Sequence, residues 1–101
     1  MNIKVKIVFD NTSFGEGFEI LNPPVIPSTG EMVGFDWKSY INDKELVARL
    51  VETSEDHSFI AEVLSKDYSP NEVMVLVVLH RDDSPEVERL KGVKLSFLQA
   101  H

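Results

Sequence analysis

The sequence predicts an α+β domain in which a mainly antiparallel sheet, curled partly into a barrel, is covered by one medium and one short helix. Three observations lead to this class. Apolar and polar residues alternate along several short stretches, residues 73–79 are apolar throughout, and residues 42–53 have a helical period instead. With 101 residues, of which 43% are hydrophobic and 27% charged, the chain has the size and composition of a single globular domain, residues 1–101.

The N-terminal third predicts a hairpin followed by a corner. Residues 3–9 alternate apolar with mostly polar side chains, as a half-buried strand does, and the apolar pattern resumes at 18–21 after a stretch rich in turn-forming residues. The prolines that follow end the second strand because proline lacks the amide hydrogen that a sheet requires. Pro27 to Gly30 then predicts a β-turn, and a short strand over 31–35 leaves it.

Residues 42–53 predict the medium helix, over about 43–53. Leucine and valine recur at spacings of three and four, which places them on one helical face. Asn42 is the predicted N-cap, with Glu45 at the spacing of a capping box. The same stretch leaves an alternative open, a strand over 49–52.

Residues 58–65 and 72–79 predict an antiparallel hairpin. A strand that is apolar at seven consecutive positions must be covered on both faces, so the second strand is expected to lie inside the sheet. After it, Ser84 and Pro85 occupy the positions of an N-cap and a first helical residue, and they predict a short helix over about 85–91. A last strand over 93–97 gives a sheet of about five or six strands.

A motif at the corner carries a resemblance to known domains. Pro27, Gly30, Glu31 and Val33 form the pattern Pro-x-x-Gly-Glu-x-Val, and Phe-Ile-Ala-Glu-Val at 59–63 and the apolar stretch follow it. In this order the chain resembles small bacterial β-rich domains of unknown function, in which such a corner heads a strand of a compact, curled sheet. The resemblance covers about half of the chain. It implies the fold class and no activity.

Two histidines near strand ends are the candidates for chemistry. In the predicted hairpin the start of one strand lies beside the end of the other, which would bring His57 and His80 close to Asp56, Asp82 and Asp83. Imidazoles and carboxylates gathered in this way suit acid–base chemistry or a divalent metal. The other interpretation is that these polar residues only flank an apolar strand pair. The chain has no cysteine and no Gly-x-Ser-x-Gly motif, so these routes to nucleophilic catalysis have no support.

The aromatic residues after the corner are candidates for binding a partner. Phe35, Trp37 and Tyr40 follow one another closely, and Tyr68 lies in the loop of the second hairpin. If the first group is exposed it forms a patch suited to protein contacts, and if it is buried it fills the core under the helix. Trp37, Tyr40 and Tyr68 are the predicted partner-binding residues.

Charge and hydropathy narrow the class of function. Seventeen acidic and ten basic residues give a formal net charge of −7, which disfavours binding to nucleic acid. No stretch is long enough to cross a bilayer, and the first residues lack the apolar region of a signal peptide, so we expect a cytoplasmic protein with no membrane contact. Nothing in the sequence calls for a cofactor.

These observations favour a non-enzymatic binding or assembly module that acts through protein contacts. The partner would be another protein, or a second copy joined through an edge strand. Two alternatives stay open. One is an acid–base or divalent-metal-assisted enzyme that uses the sheet end with His57, His80 and Asp82, and the other is an acidic inhibitor that imitates nucleic acid.

Overall fold

The computed structural model describes residues 2–90, which form a five-stranded sheet with a helix packed on one face. A second helix begins at Pro85, shortly after the fifth of these strands. In chain order the elements are β1 (Asn2–Phe9), β2 (Phe18–Leu21), β3 (Met32–Val33), α1 (Lys44–Asp56), β4 (Phe59–Tyr68), β5 (Glu72–Arg81) and α2, described over 85–90, with short 3-10 turns at Thr12–Phe14 and Trp37–Ser39.

The sheet confirms the predicted α+β class, with one difference in strand direction. Its strand order is β2-β1-β5-β4-β3, and it curls into a half barrel. Three of its four neighbouring pairs are antiparallel, but β1 and β5 are parallel. The sheet is therefore mixed, because β1 at the start of the chain pairs in register with β5 more than sixty residues later, from Asn2 opposite Glu72 to Phe9 opposite Leu79.

The second hairpin forms as predicted, and β5 lies inside the sheet between β1 and β4. Alternate β5 residues from Val73 to Leu79 are buried in the main core, while the residues between them are half-buried on the opposite face. A β-bulge between Val63 and Ser65 leaves Leu64 exposed and shifts the register of the outer half of β4.

Helix α1 confirms the helix predicted over 43–53 and excludes the alternative strand at 49–52. The N-cap prediction was wrong by one residue. Asp43, not Asn42, accepts hydrogen bonds from the amides of Glu45 (3.0 Å) and Leu46 (3.2 Å). The helix also extends to Asp56, beyond its predicted end. The sequence could not reveal this extension, because the last residues of the helix are polar and show no apolar period.

The proline-glycine corner forms a turn that is fastened to β4. The Glu31 amide donates to the Ser28 carbonyl (3.0 Å), and Gly30 has a φ of 85°, a conformation that favours glycine. The Gly30 amide donates to the Ala61 carbonyl (2.7 Å), and the Thr29 hydroxyl accepts from the Val63 amide (2.9 Å). The strand that follows is shorter than the predicted 31–35, because the chain turns after Val33 and directs Phe35 and Trp37 toward the core.

The core between α1 and the sheet is rich in aromatic rings. Trp37 is 3% exposed, and its indole nitrogen donates to the Ser54 hydroxyl of α1 (3.3 Å). Ring centroids of neighbouring aromatic residues are 5.2 to 6.4 Å apart. The rings are those of Phe9, Phe14, Phe18, Phe35, Trp37, Tyr40 and Phe59.

Helix α2 packs on the opposite face of the sheet. Val87 and Leu90 form a separate small core with Ile60 of β4. The Glu86 amide donates to the Ser84 hydroxyl (3.3 Å), so the predicted N-cap is confirmed. The predicted end of this helix at residue 91 and the predicted strand over 93–97 lie outside the described residues. Neither α1 nor the described part of α2 is long and apolar enough to span a membrane.

Candidate functional site

The structure divides the predicted polar cluster between the two faces of the sheet. His57, Asp82 and Asp83 come together, with potential ligand atoms within 4.8 Å of one another. His80 follows Leu79, which faces the main core, so its side chain lies on the other face beside α2. Asp56, the last residue of α1, is exposed and outside the group of three.

His57 and Asp82 form an oriented pair at the end of the hairpin. The distance from His57 Nδ1 to Asp82 Oδ1 is 2.8 Å, and the Ser58 amide donates to Asp82 Oδ2 (3.0 Å). The Ser58 amide, and then the hydrogen bond with His57, hold the pKa of Asp82 below its ordinary value. A carboxylate that engages Nδ1 leaves Nε2 of the imidazole for another partner, which is the geometry that general acid–base groups use.

Asp83 contributes less to a cation site than its position suggests. Arg81 donates to both of its carboxylate oxygens, at 2.7 and 2.9 Å. These hydrogen bonds from Arg81 lower the pKa of Asp83 and neutralise its charge. A metal ion at this place would have to displace the guanidinium, so the three side chains fit an ion pair network better than a metal centre.

His80 is the centre of a buried charge network on the α2 side. It is 4% exposed, with Nδ1 at 2.7 Å from Asp10 and Nε2 at 2.9 Å from Glu62. Arg89 of α2 donates to both oxygens of Glu62 (3.0 Å each), and Ser84 donates to Asp10 (3.2 Å). The network joins β1, β4, β5 and α2, which is a structural role.

Opposing effects act on the Glu62 carboxyl. Its burial raises the pKa, but the hydrogen bonds from His80 and Arg89, with the charges of both groups, lower it by more. The pKa of Glu62 therefore lies below its ordinary value of 4.5.

This direction predicts how stability depends on pH. A carboxyl group whose pKa is lower in the folded than in the unfolded state stabilises the fold above the unfolded value, here 4.5, and the stabilisation disappears as the pH falls through the folded value. We expect Glu62→Gln to lower stability at neutral pH and to make its loss below pH 4.5 less steep. Urea denaturation of both proteins over a pH series checks this, and parallel curves would contradict it.

A groove beside β3 is the most suitable place for a ligand in residues 2–90. It has a volume of about 330 Å³, and Trp37 and Phe59, both buried, form its apolar part. Met32 of β3, which is 66% exposed, also lines the groove. So does His57, whose ring is hydrogen-bonded to Asp82. The β3 groove is lined by Met32, Val33, Gly34, Trp37, Ser54, His57, Ser58 and Phe59.

Another cavity, of about 300 Å³, lies at the start of α2 and is less suited to a ligand. Its charged residues already have partners, since Asp10 bonds His80 and Asp83 bonds Arg81. An incoming polar group would compete with these bonds, whereas the apolar part of the β3 groove has no such occupant in the described residues.

The three predicted partner-binding residues do not form one surface. Trp37 lines the β3 groove. Tyr40 is 41% exposed and stacks on Phe18, with ring centroids 5.3 Å apart. Tyr68 is 74% exposed at the far end of β4.

Several site residues were missed by the sequence reasoning. Gly34, Ser54 and Ser58 have no motif around them, and only their neighbours Trp37 and His57 gave a signal. Asp10 is seventy positions from His80, so no local spacing could reveal that hydrogen bond.

Comparison of the chain with protein-family models found no match, and searches of curated proteins and of solved structures found none either.

Proposed function

We propose that this protein is a non-enzymatic binding module that receives an extended segment of a partner protein in the β3 groove. The observation that carries the proposal is a groove of about 330 Å³, with an apolar part formed by Trp37 and Phe59, directly beside an edge strand of only two residues. An extended peptide placed there has both a backbone edge to pair with and a pocket for one side chain, which are the two requirements of β-strand addition.

The edge position of β3 supports this mode of binding. Within residues 2–90, β3 is the last strand of the sheet and pairs on one side only, with β4 through Met32 opposite Ile60 and Val33 opposite Phe59. Met32 itself is 66% exposed, so its side chain does not cover the strand. Edge strands with unpaired backbone groups are templates for a further strand.

The two alternative functions have weaker support. An enzyme would use the His57–Asp82 pair, but among the hydrogen bonds of residues 2–90 this histidine ring has Asp82 as its one partner, and neither of the serines that line the groove, Ser54 and Ser58, bonds to it through its hydroxyl. An inhibitor that imitates nucleic acid needs rows of exposed carboxylates, and here Asp83, Glu62 and Glu86 are engaged by arginines.

Gly34→Phe is expected to block the groove without harming the fold. A Cβ at Gly34 would meet no heavy atom within 4 Å, and its φ is not in the left-handed region, so a larger side chain has room. The probe is an uncharged, capped peptide of alternating valine and glutamine. We expect it to change the fluorescence of Trp37, the chain's one tryptophan, and to bind Gly34→Phe about tenfold more weakly or not at all.

Gly34→Ala is the matched control, because a methyl group leaves most of the groove open, and it should bind like the wild type. Stability of both variants should stay within about 0.5 kcal/mol, which urea denaturation measures. Binding that is unaffected by Gly34→Phe would place the peptide elsewhere and contradict the proposal.

A further inference from the structure

We propose that residues 93–97 of the same chain occupy the β3 groove when no partner is bound, so that a partner segment must displace them. The inference rests on the proposed function and adds the regulation of the same site. The position of the end of α2 and the sequence that follows it support this occupant.

The described part of α2 ends one strand away from the groove. Leu90, its last residue, is 4% exposed and forms a small core with Ile60 of β4. Ile60 is the backbone partner of Met32, which lines the groove. Arg89 also donates to Glu62 of β4 (3.0 Å), so an ion pair holds the end of α2 at this place. The chain therefore leaves residue 90 beside β4, the strand next to β3.

The length of chain after Leu90 is sufficient to reach the groove. Neighbouring strands are about 4.8 Å apart, so the position beyond β3 lies about 10 Å from β4 in the plane of the sheet. An extended chain advances up to about 3.5 Å per residue, so the five residues from Leu90 to Leu95 span up to about 17 Å. That length covers the step across β3 and leaves several ångströms for the passage from the face of α2 to the groove.

Residues 93–97, which lie outside the described residues, have the sequence pattern of a strand with one apolar face. Val93, Leu95 and Phe97 alternate with Lys94 and Ser96. In an extended chain alternate side chains lie on the same side, so the three apolar residues form one face. This is the pattern that an added strand needs when one of its faces contacts an apolar groove and the other contacts water.

The groove and the charge of the domain suit this segment. A strand added beside β3 would place alternate side chains against Trp37 and Phe59, the apolar part of the groove. Residues 91–101 hold two of the ten basic residues of the chain and none of its seventeen acidic ones. A positively charged segment is attracted to a domain that is otherwise strongly negative.

Disulfide cross-linking tests where the segment lies, in a full-length chain that has no cysteine of its own. Gly34→Cys places a thiol in the groove, where a Cβ has open space. Together with Leu95→Cys, it is expected to form an intrachain disulfide when oxidised glutathione is added. Gly34→Cys with Leu98→Cys is the matched control, because residue 98 lies on the opposite side of an extended strand. We expect the first pair to oxidise about tenfold faster, as non-reducing electrophoresis and mass spectrometry measure.

Peptide binding tests the competition for the groove. The capped peptide of alternating valine and glutamine is expected to change Trp37 fluorescence in the reduced Gly34→Cys, Leu95→Cys protein and to have no effect on its disulfide form. In chains without cysteine, Leu95→Asn should bind the peptide about threefold more tightly than Leu98→Asn, because only the first substitution weakens the competing segment.

The outcomes distinguish this inference from the proposed function. Equal oxidation rates for the two cysteine pairs, or disulfides that join two copies instead of one chain, overturn the inference and leave the proposed function in place. Equal peptide affinity of Leu95→Asn and Leu98→Asn has the same meaning. If the peptide changes the Trp37 fluorescence of none of these proteins, Leu95→Asn included, the proposed function fails and the inference fails with it.

Discussion

Replacing His80 with alanine is expected to destabilise the fold by about 2–4 kcal/mol. The ring is 4% exposed and hydrogen-bonds to Asp10 and Glu62, so its removal leaves two carboxylates without this partner and opens a cavity on the face of the sheet that α2 covers. The expected value is below that of a fully buried ion pair, because Arg89 still neutralises Glu62 and the side chain of Asp10 is partly exposed.

His57→Ala is the matched control, because His57 also pairs with an aspartate but at a more exposed site. A third of its side chain is exposed, and the Ser58 amide continues to stabilise the Asp82 carboxylate after the ring is removed. We expect a loss below about 1 kcal/mol for this variant. Urea denaturation at neutral pH measures both, and similar losses in the two variants would show that burial does not set the strength of these pairs.

Replacing Gly17 with alanine is expected to cost about 3 kcal/mol or more. The φ of Gly17 is 94°, which a residue with a Cβ rarely adopts. A Cβ at this position would also lie 1.9 Å from the carbonyl oxygen of Ile7, a backbone atom of the neighbouring strand. Relief of this clash requires the start of β2 to move away from β1, and Phe18 would leave its place in the aromatic core.

The same substitution at Gly34 provides the comparison. Gly34 has open space around its Cα and no left-handed backbone, so Gly34→Ala is expected to change stability by less than about 0.5 kcal/mol. Thermal and urea denaturation of the two variants give the difference. A Gly17→Ala protein as stable as Gly34→Ala would contradict the close approach of the first turn to β1.

The local elements of this fold were accessible from the sequence. Period-two alternation identified β1, β2 and β4, and seven consecutive apolar residues identified β5 as an inner strand. The helical spacing of leucine and valine identified α1, and Ser84 with Pro85 marked the start of α2. In each case the signal is the burial of one face or the capping of one end, and a few neighbouring residues determine both.

The candidate site was accessible only in part. His57 and Asp82 meet because a hairpin brings the ends of two adjacent strands together, and the sequence predicted that hairpin. The predicted meeting of His57 with His80 does not occur, because His80 points to the face of the sheet opposite the main core. Side chains on successive strand positions face opposite ways, so strand ends that meet need not share a site.

The sequence by itself determined the class of the domain, its hairpins, its helices and the negative charge of its surface. Only the tertiary structure decided that β1 and β5 run parallel, that Asp10 and Glu62 hold His80, and that β3 ends after two residues beside an open groove. Periodicity and capping depend on residues a few positions apart. The pairing of β1 with β5 and the groove between β3 and α1 depend on contacts between segments far apart in the sequence. Such contacts are determined by how all elements pack into one core, and no local pattern reveals them.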